Sequence, residues 1–235
     1  MNTNRMISTT KHLPNTFWGS AAAALAAFAL AATPATATLV QDPVSSLNEL
    51  EYQTDVSTTD LLTGLTATTT GTWKPDGGSN VAALNDGVHG DTSRHDQGAF
   101  GAVGATAAYH LGMAPFGYDL TSIQSIAAWG SAGRGNQGYT VEVKLKGASA
   151  YTTLATVDCE LLLPDLSSQG ATKVTLTDNS SSHILATGVE YIKFTVNSVN
   201  SYDNLTIMRE IDVIGVPTPG TDNIAPTIAP PPEPA

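Results

Sequence analysis

The residues best suited to bind a ligand lie in the loops of the sequence. A sugar is recognised by an aromatic face for the apolar side of its ring and by planar polar groups for its hydroxyls. Arg134 is the strongest candidate, because glycines flank it and present its guanidinium for bidentate contacts. The alternative is a loop arginine that pairs with surface carboxylates. The candidate ligand-binding residues are His89, Arg94, His95, Arg134, Asn136, Tyr202 and Asn204.

Motifs for catalysis are missing from the sequence. It contains no Gly-x-Ser-x-Gly elbow, no His-Glu-x-x-His pair and no phosphate-binding Gly-Lys-Ser/Thr loop. His95 and Asp96 are neighbours in the chain rather than an oriented dyad. A carboxylate pair for glycoside hydrolysis stays open, because the separation of such a pair depends on the fold. The sequence therefore favours a binding protein over an enzyme.

The first 37 residues have the pattern of a secretory signal peptide. Arg5 and Lys11 precede an apolar run of small residues at 21–32, and Ala35-Thr36-Ala37 matches the small-x-small cleavage pattern. The alternative is a membrane anchor, but the run is shorter than the ~20 residues that a bilayer core requires. The sequence predicts cleavage and a secreted or cell-surface protein, with no membrane insertion after cleavage.

Cleavage would leave a strongly acidic chain of 198 residues. It removes two of the ten basic residues and none of the 21 acidic ones, for a formal charge of −13. That charge argues against nucleic acid and anionic membranes as partners. Cys159 is the single cysteine, so no internal disulfide can form, and we interpret it as a small buried side chain.

Alternating apolar and polar residues predict strands rather than helices. The clearest case is 139–146, where Tyr139, Val141, Val143 and Leu145 alternate with polar residues. Turns rich in Gly, Ser, Asn and Asp separate the segments, and no long amphipathic helix lies between them. The pattern predicts an all-β fold, an antiparallel β-sandwich. The predicted strands are 66–73, 105–111, 120–129, 139–146, 151–157, 171–177, 189–196 and 207–214.

Composition divides the chain into four parts. After the leader comes a polar N-terminal segment, 38–59, and then the predicted sandwich, 60–216, which starts with a short helical turn stopped at Gly64. A tail, 217–235, is rich in proline and is expected to be extended.

The order of the elements between Leu84 and Gly215 resembles the discoidin, or coagulation factor 5/8 C-type, group of galactose-binding-like domains, which includes family 32 carbohydrate-binding modules. The resemblance is carried by the Leu-Asn-Asp-Gly run at 84–87, by 107–112, by the strands at 123–129 and 139–146, and by the closing 209–215, Arg-Glu-Ile-Asp-Val-Ile-Gly. It implies an eight-stranded jelly roll. The chain is also similar to signal-bearing bacterial surface proteins with this domain that often end in Pro-Glu-Pro, which stands here at 232–234.

The resemblance also implies a structural calcium ion between the early Asp-Gly loop and the late glutamate. Calcium prefers oxygen ligands from carboxylates, carbonyls and hydroxyls. The matching oxygen donors are Asp86, Asp91, Thr92 and Glu210. The alternative is that Asp86 and Gly87 form a simple turn and that Glu210 is an exposed strand carboxylate.

Two functions fit these observations. The first is a non-catalytic extracellular module that binds a glycan or glycoconjugate through its loops. The second is a structural cell-surface or matrix protein that contacts a surface protein and has no small ligand. A hydrolase on the same scaffold is a third hypothesis. Arg134, Asn136 and Tyr202 favour the first, and the scarcity of aromatic residues in the loops favours the second.

Overall fold

A computed structural model describes residues 38–73, 81–90, 97–131, 133–160, 169–201 and 204–220. The predicted signal peptide and most of the proline-rich tail lie outside the described residues. So do five of the predicted site residues: Asp91, Thr92, Arg94, His95 and Tyr202.

The described chain contains ten strands and one short 3-10 helix, Val81–Leu84. The strands are β1 (Leu39–Ser46), β2 (Thr68–Thr70), β3 (Ala99–Ala102), β4 (Thr106–His110), β5 (Tyr118–Trp129), β6 (Gln137–Leu145), β7 (Thr152–Cys159), β8 (Gly170–Asp178), β9 (Ala186–Val196) and β10 (Leu205–Pro217).

The strands form two antiparallel layers of five. The first layer has the order β1-β8-β5-β10-β3, and the second has the order β2-β4-β9-β6-β7. They are joined where the start of β5 also pairs with β9, at Tyr118 opposite Val189 and at Leu120 opposite Ala186. The predicted all-β antiparallel sandwich is therefore confirmed.

Two of the ten strands were not predicted, and both have a physical reason. β1 lies in the segment 38–59, which the sequence placed outside the sandwich. It is an edge strand with no fully buried residue, so its sequence shows no apolar alternation, yet all eight of its residues have a partner in β8. β3 is only four residues long and is buried on both faces. The expected helical turn before Gly64 is a pair of hydrogen-bonded turns, in which Thr63 and Leu65 donate to the carbonyls of Asp60 and Leu62.

The apolar core lies between the layers. Alternate residues of the first layer, such as Ile123, Leu176 and Ile211, share one cluster with Tyr109 and Phe194 of the second layer. The alternation predicted for 139–146 holds as far as Val143. Leu145 is 43 % exposed instead, because the pairing of β6 with β9 shifts register between Lys144 and Leu145.

The outer face of the first layer is covered by residues 47–65, which we call the covering segment. Tyr52 and Val56 pack on Ile126, Ala128 and Ala171 of β5 and β8. The backbone of the segment is held by Gln124, whose amide donates to the Asp55 carbonyl at 2.8 Å, and by Val213, whose carbonyl accepts from Leu61 N–H at 2.8 Å. The outer face of the second layer has no such cover among the described residues.

None of the helical segments in the described ranges is long and apolar enough to cross a membrane.

Candidate ligand and cation sites

Two loops meet at one end of the sandwich, the β5–β6 loop at 130–136 and the β9–β10 loop at 197–204; we call this the loop end. The Asn136 side-chain amide donates to the Asn200 carbonyl at 2.5 Å. The Arg134 carbonyl accepts from the Ile207 N–H at 3.3 Å. Arg134 itself is half-buried. The loops are therefore fastened to each other through Asn136, and the first loop is fastened to β10 through the backbone of Arg134.

Asn204 holds the second of these loops in shape. It has a left-handed backbone, φ 54°, which Asn tolerates better than most residues. Its side-chain oxygen accepts from the Val199 N–H at 2.8 Å and from the Ser198 hydroxyl at 3.1 Å. The side chain is exposed, so its amide nitrogen faces the surface side of a loop that is already ordered.

A buried polar network supports the loop end from below. The Ser125 hydroxyl donates to Gln137 Oε1 at 2.6 Å, and Gln137 Nε2 donates to Thr172 Oγ1 at 2.9 Å. The Thr172 hydroxyl in turn donates to the Gly135 carbonyl at 2.6 Å. Since unsatisfied polar groups in a core are costly, this chain of bonds links the position of the Gly-rich loop to both layers.

Cys159 lies next to this network and is buried, as expected. Burial is the main cause that raises the pKa of its thiol to about 11. The reactive thiolate form is therefore scarce at neutral pH, and Cys159 acts as a small core side chain.

The structure divides the described ligand-binding candidates into two groups. Arg134, Asn136 and Asn204 come together at the loop end. Asn136 is 3 % exposed, so its side chain serves to join the loops more than to meet a ligand. His89 lies apart from them, on the side of the first layer.

His89 lines an open depression of about 400 Å³ together with Gln53, Val56 and Gln97. Its ring is buried, and Nδ1 lies 3.1 Å from the Gly90 carbonyl. Burial lowers the pKa of this imidazole, so the ring is neutral at physiological pH. The covering segment supplies part of this depression, which the sequence did not predict.

Glu210, on β10, is the central residue of the predicted calcium set. It is fully buried, one carboxylate oxygen accepts from the Gly87 N–H at 3.0 Å, and the other has no hydrogen-bond partner among the described residues. Burial is the main cause that raises its pKa to about 9, and the nearby Asp212 and Asp86 carboxylates add to it. The alternative that Glu210 is an exposed strand carboxylate is therefore wrong.

Asp212 is a second buried carboxylate on the same strand, and the sequence did not single it out. One oxygen accepts from the Ser57 N–H at 3.1 Å and from the Gln124 amide at 3.0 Å, while the other has no partner. Burial raises its pKa to about 6. The spacing of Glu210 and Asp212 was the available signal, since residues two apart in a strand share a face.

Asp86, by contrast, is exposed and makes the turn that was offered as the alternative, with its carboxylate accepting from the Val88 N–H at 2.9 Å. No three His, Cys, Asp or Glu side chains in the described ranges converge closely enough to hold a metal. The buried oxygen of Glu210 that lacks a partner nevertheless fits a hard cation, because a cation would neutralise its charge and complete its coordination.

Arg209 is a further buried residue that sequence reasoning missed as a structural element. Its Nε donates to the Ala128 carbonyl at 3.0 Å and a terminal nitrogen donates to the Gln97 carbonyl at 2.7 Å. Its guanidinium lies 5.4 Å from the centre of the Trp129 ring. Arg209 thus joins β10 to β5 and to the chain just before β3.

The turn after β8 contains serine, histidine and aspartate, the residue types of a hydrolase triad. Both Ser180 and Ser182 donate their hydroxyls to the Asp178 carboxylate, and this lowers the pKa of Asp178. The His183 ring approaches the Asp178 backbone carbonyl at 3.3 Å and neither serine. The group is a capped turn, and it lacks the serine–histidine contact of a nucleophile and its base.

No protein-family model matches the sequence, and comparison with curated proteins finds no match. Similar solved structures do exist. One is the family 32 carbohydrate-binding module of NanJ from Clostridium perfringens in complex with galactose, with 16 % identity, 63 % of this chain and 92 % of that chain covered, and a TM-score of 0.41.

Two lectins give comparable values. The lectin domain of lectinolysin, complexed with Lewis B antigen, is 13 % identical over 68 % of this chain and 98 % of that chain, with a TM-score of 0.43. A fucolectin from striped bass (Morone saxatilis) serum is 13 % identical over 64 % of this chain and 46 % of that chain, with a TM-score of 0.42. At these values no ligand or residue role is transferred from those proteins to this chain.

Proposed function

We propose that this chain is an exported, non-catalytic module that binds a glycan through the loop end. The observation that carries the proposal is the fastened pair of loops around Arg134. The bonds of Asn136 and Asn204 order both loops before any ligand arrives, and an ordered site loses less entropy on binding. The guanidinium of an arginine can donate two parallel hydrogen bonds to neighbouring sugar hydroxyls or to a carboxylate.

The chemistry of the loop end supports binding more than catalysis. Its described polar groups are amides, hydroxyls and one guanidinium, which form hydrogen bonds without exchanging protons near neutral pH. The buried carboxylates Glu210 and Asp212 lie on the outer face of the first layer, beneath the covering segment. The resemblance to discoidin-type domains, whose members bind through loops at one end of the sandwich, agrees with this choice of site.

A glycan array with the full chain and its Arg134→Ala variant tests the proposal. We expect the parent to bind a defined set of glycans and the variant to lose roughly tenfold or more in affinity, as for the loss of a charge-assisted hydrogen bond. Lys173→Gln is the matched control, since it removes one positive charge from the outer face of the first layer, where Lys173 pairs with Asp55. Equal binding by the parent and Arg134→Ala, or no binding to any glycan of the array, would contradict the proposal and favour a structural surface protein.

We also propose that a calcium ion supports the loop at 85–92 through Glu210, with Asp86, Asp91 and Thr92 as the other oxygen donors that the sequence indicates. The support is the buried carboxylate oxygen without a partner. Millimolar calcium should raise the melting temperature of the parent and chelator should reverse the rise. Glu210→Gln should abolish the response; a parent that melts at the same temperature with calcium and with chelator contradicts the proposal.

A further inference from the structure

The open outer face of the second layer carries a lysine that differs from the other described lysines. Lys146, Lys173 and Lys193 each form an ion pair with a carboxylate, at 2.5–2.7 Å. Lys144 has no carboxylate partner among the described residues. Its ammonium lies 3.9 Å from the centre of the Tyr191 ring and 5.7 Å from that of Tyr151.

Tyr191 lies in the middle of a short row across three strands. Lys144 of β6 is its partner on one side and His110 of β4 is its partner on the other. The His110 and Tyr191 rings are 4.6 Å apart and tilted by 43°. We call these residues, with Tyr151, the Lys144 patch. It places two tyrosine rings, an ammonium and an imidazole on one partly exposed surface, with Lys144 over the Tyr191 ring and Lys193 at 4.5 Å from the centre of the Tyr151 ring.

Lysines outnumber carboxylates around the Lys144 patch, whereas the chain as a whole is acidic. The lysines around the patch are Lys144, Lys146 and Lys193, and the carboxylates are Glu142 and Glu190, each of which is already paired with a lysine. The chain as a whole has a formal charge of −11. An anionic ligand is therefore repelled by most of the protein and attracted here, which gives the patch electrostatic selectivity.

The sheet beyond the patch is polar and open. Five threonines stand side by side in register across the five strands, and all of them are at least partly exposed: Thr70, Thr106, Thr195, Thr140 and Thr156. This row is four residues along β9 from Tyr191, about 13 Å at the usual rise per residue. An extended chain lying along the strands would thus meet aromatic faces at one end and hydroxyls at the other.

We propose that the Lys144 patch is a second binding site, separate from the loop end, for an anionic polysaccharide. The two tyrosine rings position the Lys144 ammonium, which has no carboxylate partner among the described residues and supplies the counter-charge for a uronate or a sulfate. The flat sheet and its hydroxyl row suit a chain of sugars better than a single residue. The site does not depend on the glycan proposal for the loop end.

Affinity electrophoresis of the full chain separates the two sources of negative charge. Gels contain polygalacturonate, which carries only carboxylates, dextran sulfate, which carries only sulfates, or neutral dextran. We expect retardation by at least one polyanion, none by dextran, and weakening with added salt. Retardation by polygalacturonate alone identifies a uronate ligand, and retardation by dextran sulfate alone identifies a sulfated one.

Variants assign the binding to the patch. Lys144→Gln should weaken polyanion binding about tenfold and Lys144→Glu should abolish it, whereas Lys173→Gln should bind as the parent does. Tyr151→Ala provides a second test that leaves the charge unchanged and should also weaken binding. Unfolding curves of each variant verify the fold. A parent that ignores both polyanions, or equal binding by Lys144→Glu, would overturn the proposal.

Discussion

The two layers of the sandwich treat their outer faces in opposite ways. The first layer buries its outer face under the covering segment and places Glu210 and Asp212 there, each with one oxygen that has no partner. The second layer leaves its outer face open, and its carboxylates Glu142 and Glu190 are paired with lysines.

The difference reflects the free-energy cost of a charged group on each face. A carboxylate without full compensation costs far more when it is buried than when water surrounds it. The paired charges of the open face contribute little, because solvent screens them. We infer that the covered face requires a cation to reach full stability and that the open face keeps its charges for an external partner.

The largest expected effect comes from removing an aromatic side chain on each face. Tyr52 of the covering segment is 8 % exposed and packs on the first layer, so Tyr52→Ala should lower the free energy of unfolding by about 3 kcal/mol. Tyr191→Ala on the open face should cost less than about 1 kcal/mol. Urea unfolding of both variants measures this contrast, and equal losses would show that the covering segment contributes no more than the open surface.

The next effect is a pH dependence caused by Glu210. Its folded-state pKa of about 9 lies above its ordinary value of 4.5, so between these values the folded protein binds a proton that the unfolded chain has released. Stability in chelator should therefore be greatest below about pH 5 and should fall as pH rises toward 9.

Glu210→Gln should flatten most of that dependence. In chelator at pH 8, its free energy of unfolding should be roughly 2 kcal/mol higher than that of the parent. The measurement is a set of urea unfolding curves between pH 5 and 9. A parent whose stability rises across this range would contradict the assigned burial of the carboxylate.

A smaller effect is expected at Gln124, which fastens the covering segment. Its amide donates to the Asp55 carbonyl and to Asp212. Gln124→Ala should lower stability by about 1 kcal/mol and speed amide exchange of residues 52–58. Unchanged exchange in that segment would mean that packing alone holds it.

The smallest effect belongs to the ion pair of the open face. The side chains of Lys193 and Glu142 are 24 % and 22 % exposed, so water reaches them. Lys193 Nζ and a Glu142 carboxylate oxygen lie 2.6 Å apart. A double-mutant cycle with Lys193→Gln and Glu142→Gln should give a coupling of about 0.5 kcal/mol that falls in high salt. A coupling of several kcal/mol would show that charges on the open face contribute as strongly as those on the covered face, which contradicts the comparison.

Eight of the ten described strands could be predicted from the sequence, by alternation or by β-prone composition, and the edge strand β1 and the four-residue strand β3 could not. In β6, Tyr139, Val141 and Val143 face the core and their neighbours face outward. β1 has no such alternation, because it is an edge strand that pairs with β8 and has no fully buried residue. The alternation rule reports burial, so it is silent where pairing decides the structure.

The candidate sites were predictable as residue types and less so as places. Arg134 and Asn204 were singled out from loop composition, and both lie at the loop end. His89 came from the same argument and lies elsewhere, since the path of its loop depends on contacts with Gln53 and Val56 of the covering segment. Asp212 was missed because its burial results from that segment, which is distant in sequence.

Backbone chemical-shift mapping by NMR tests the proposed function most directly. The full chain is titrated with the glycans that bind most strongly on the array. We predict that shifts concentrate in 130–136 and 197–204 and disappear in Arg134→Ala. Shifts confined to the outer face of the first layer, or no shifts at millimolar sugar with every probe, would contradict a glycan site at the loop end.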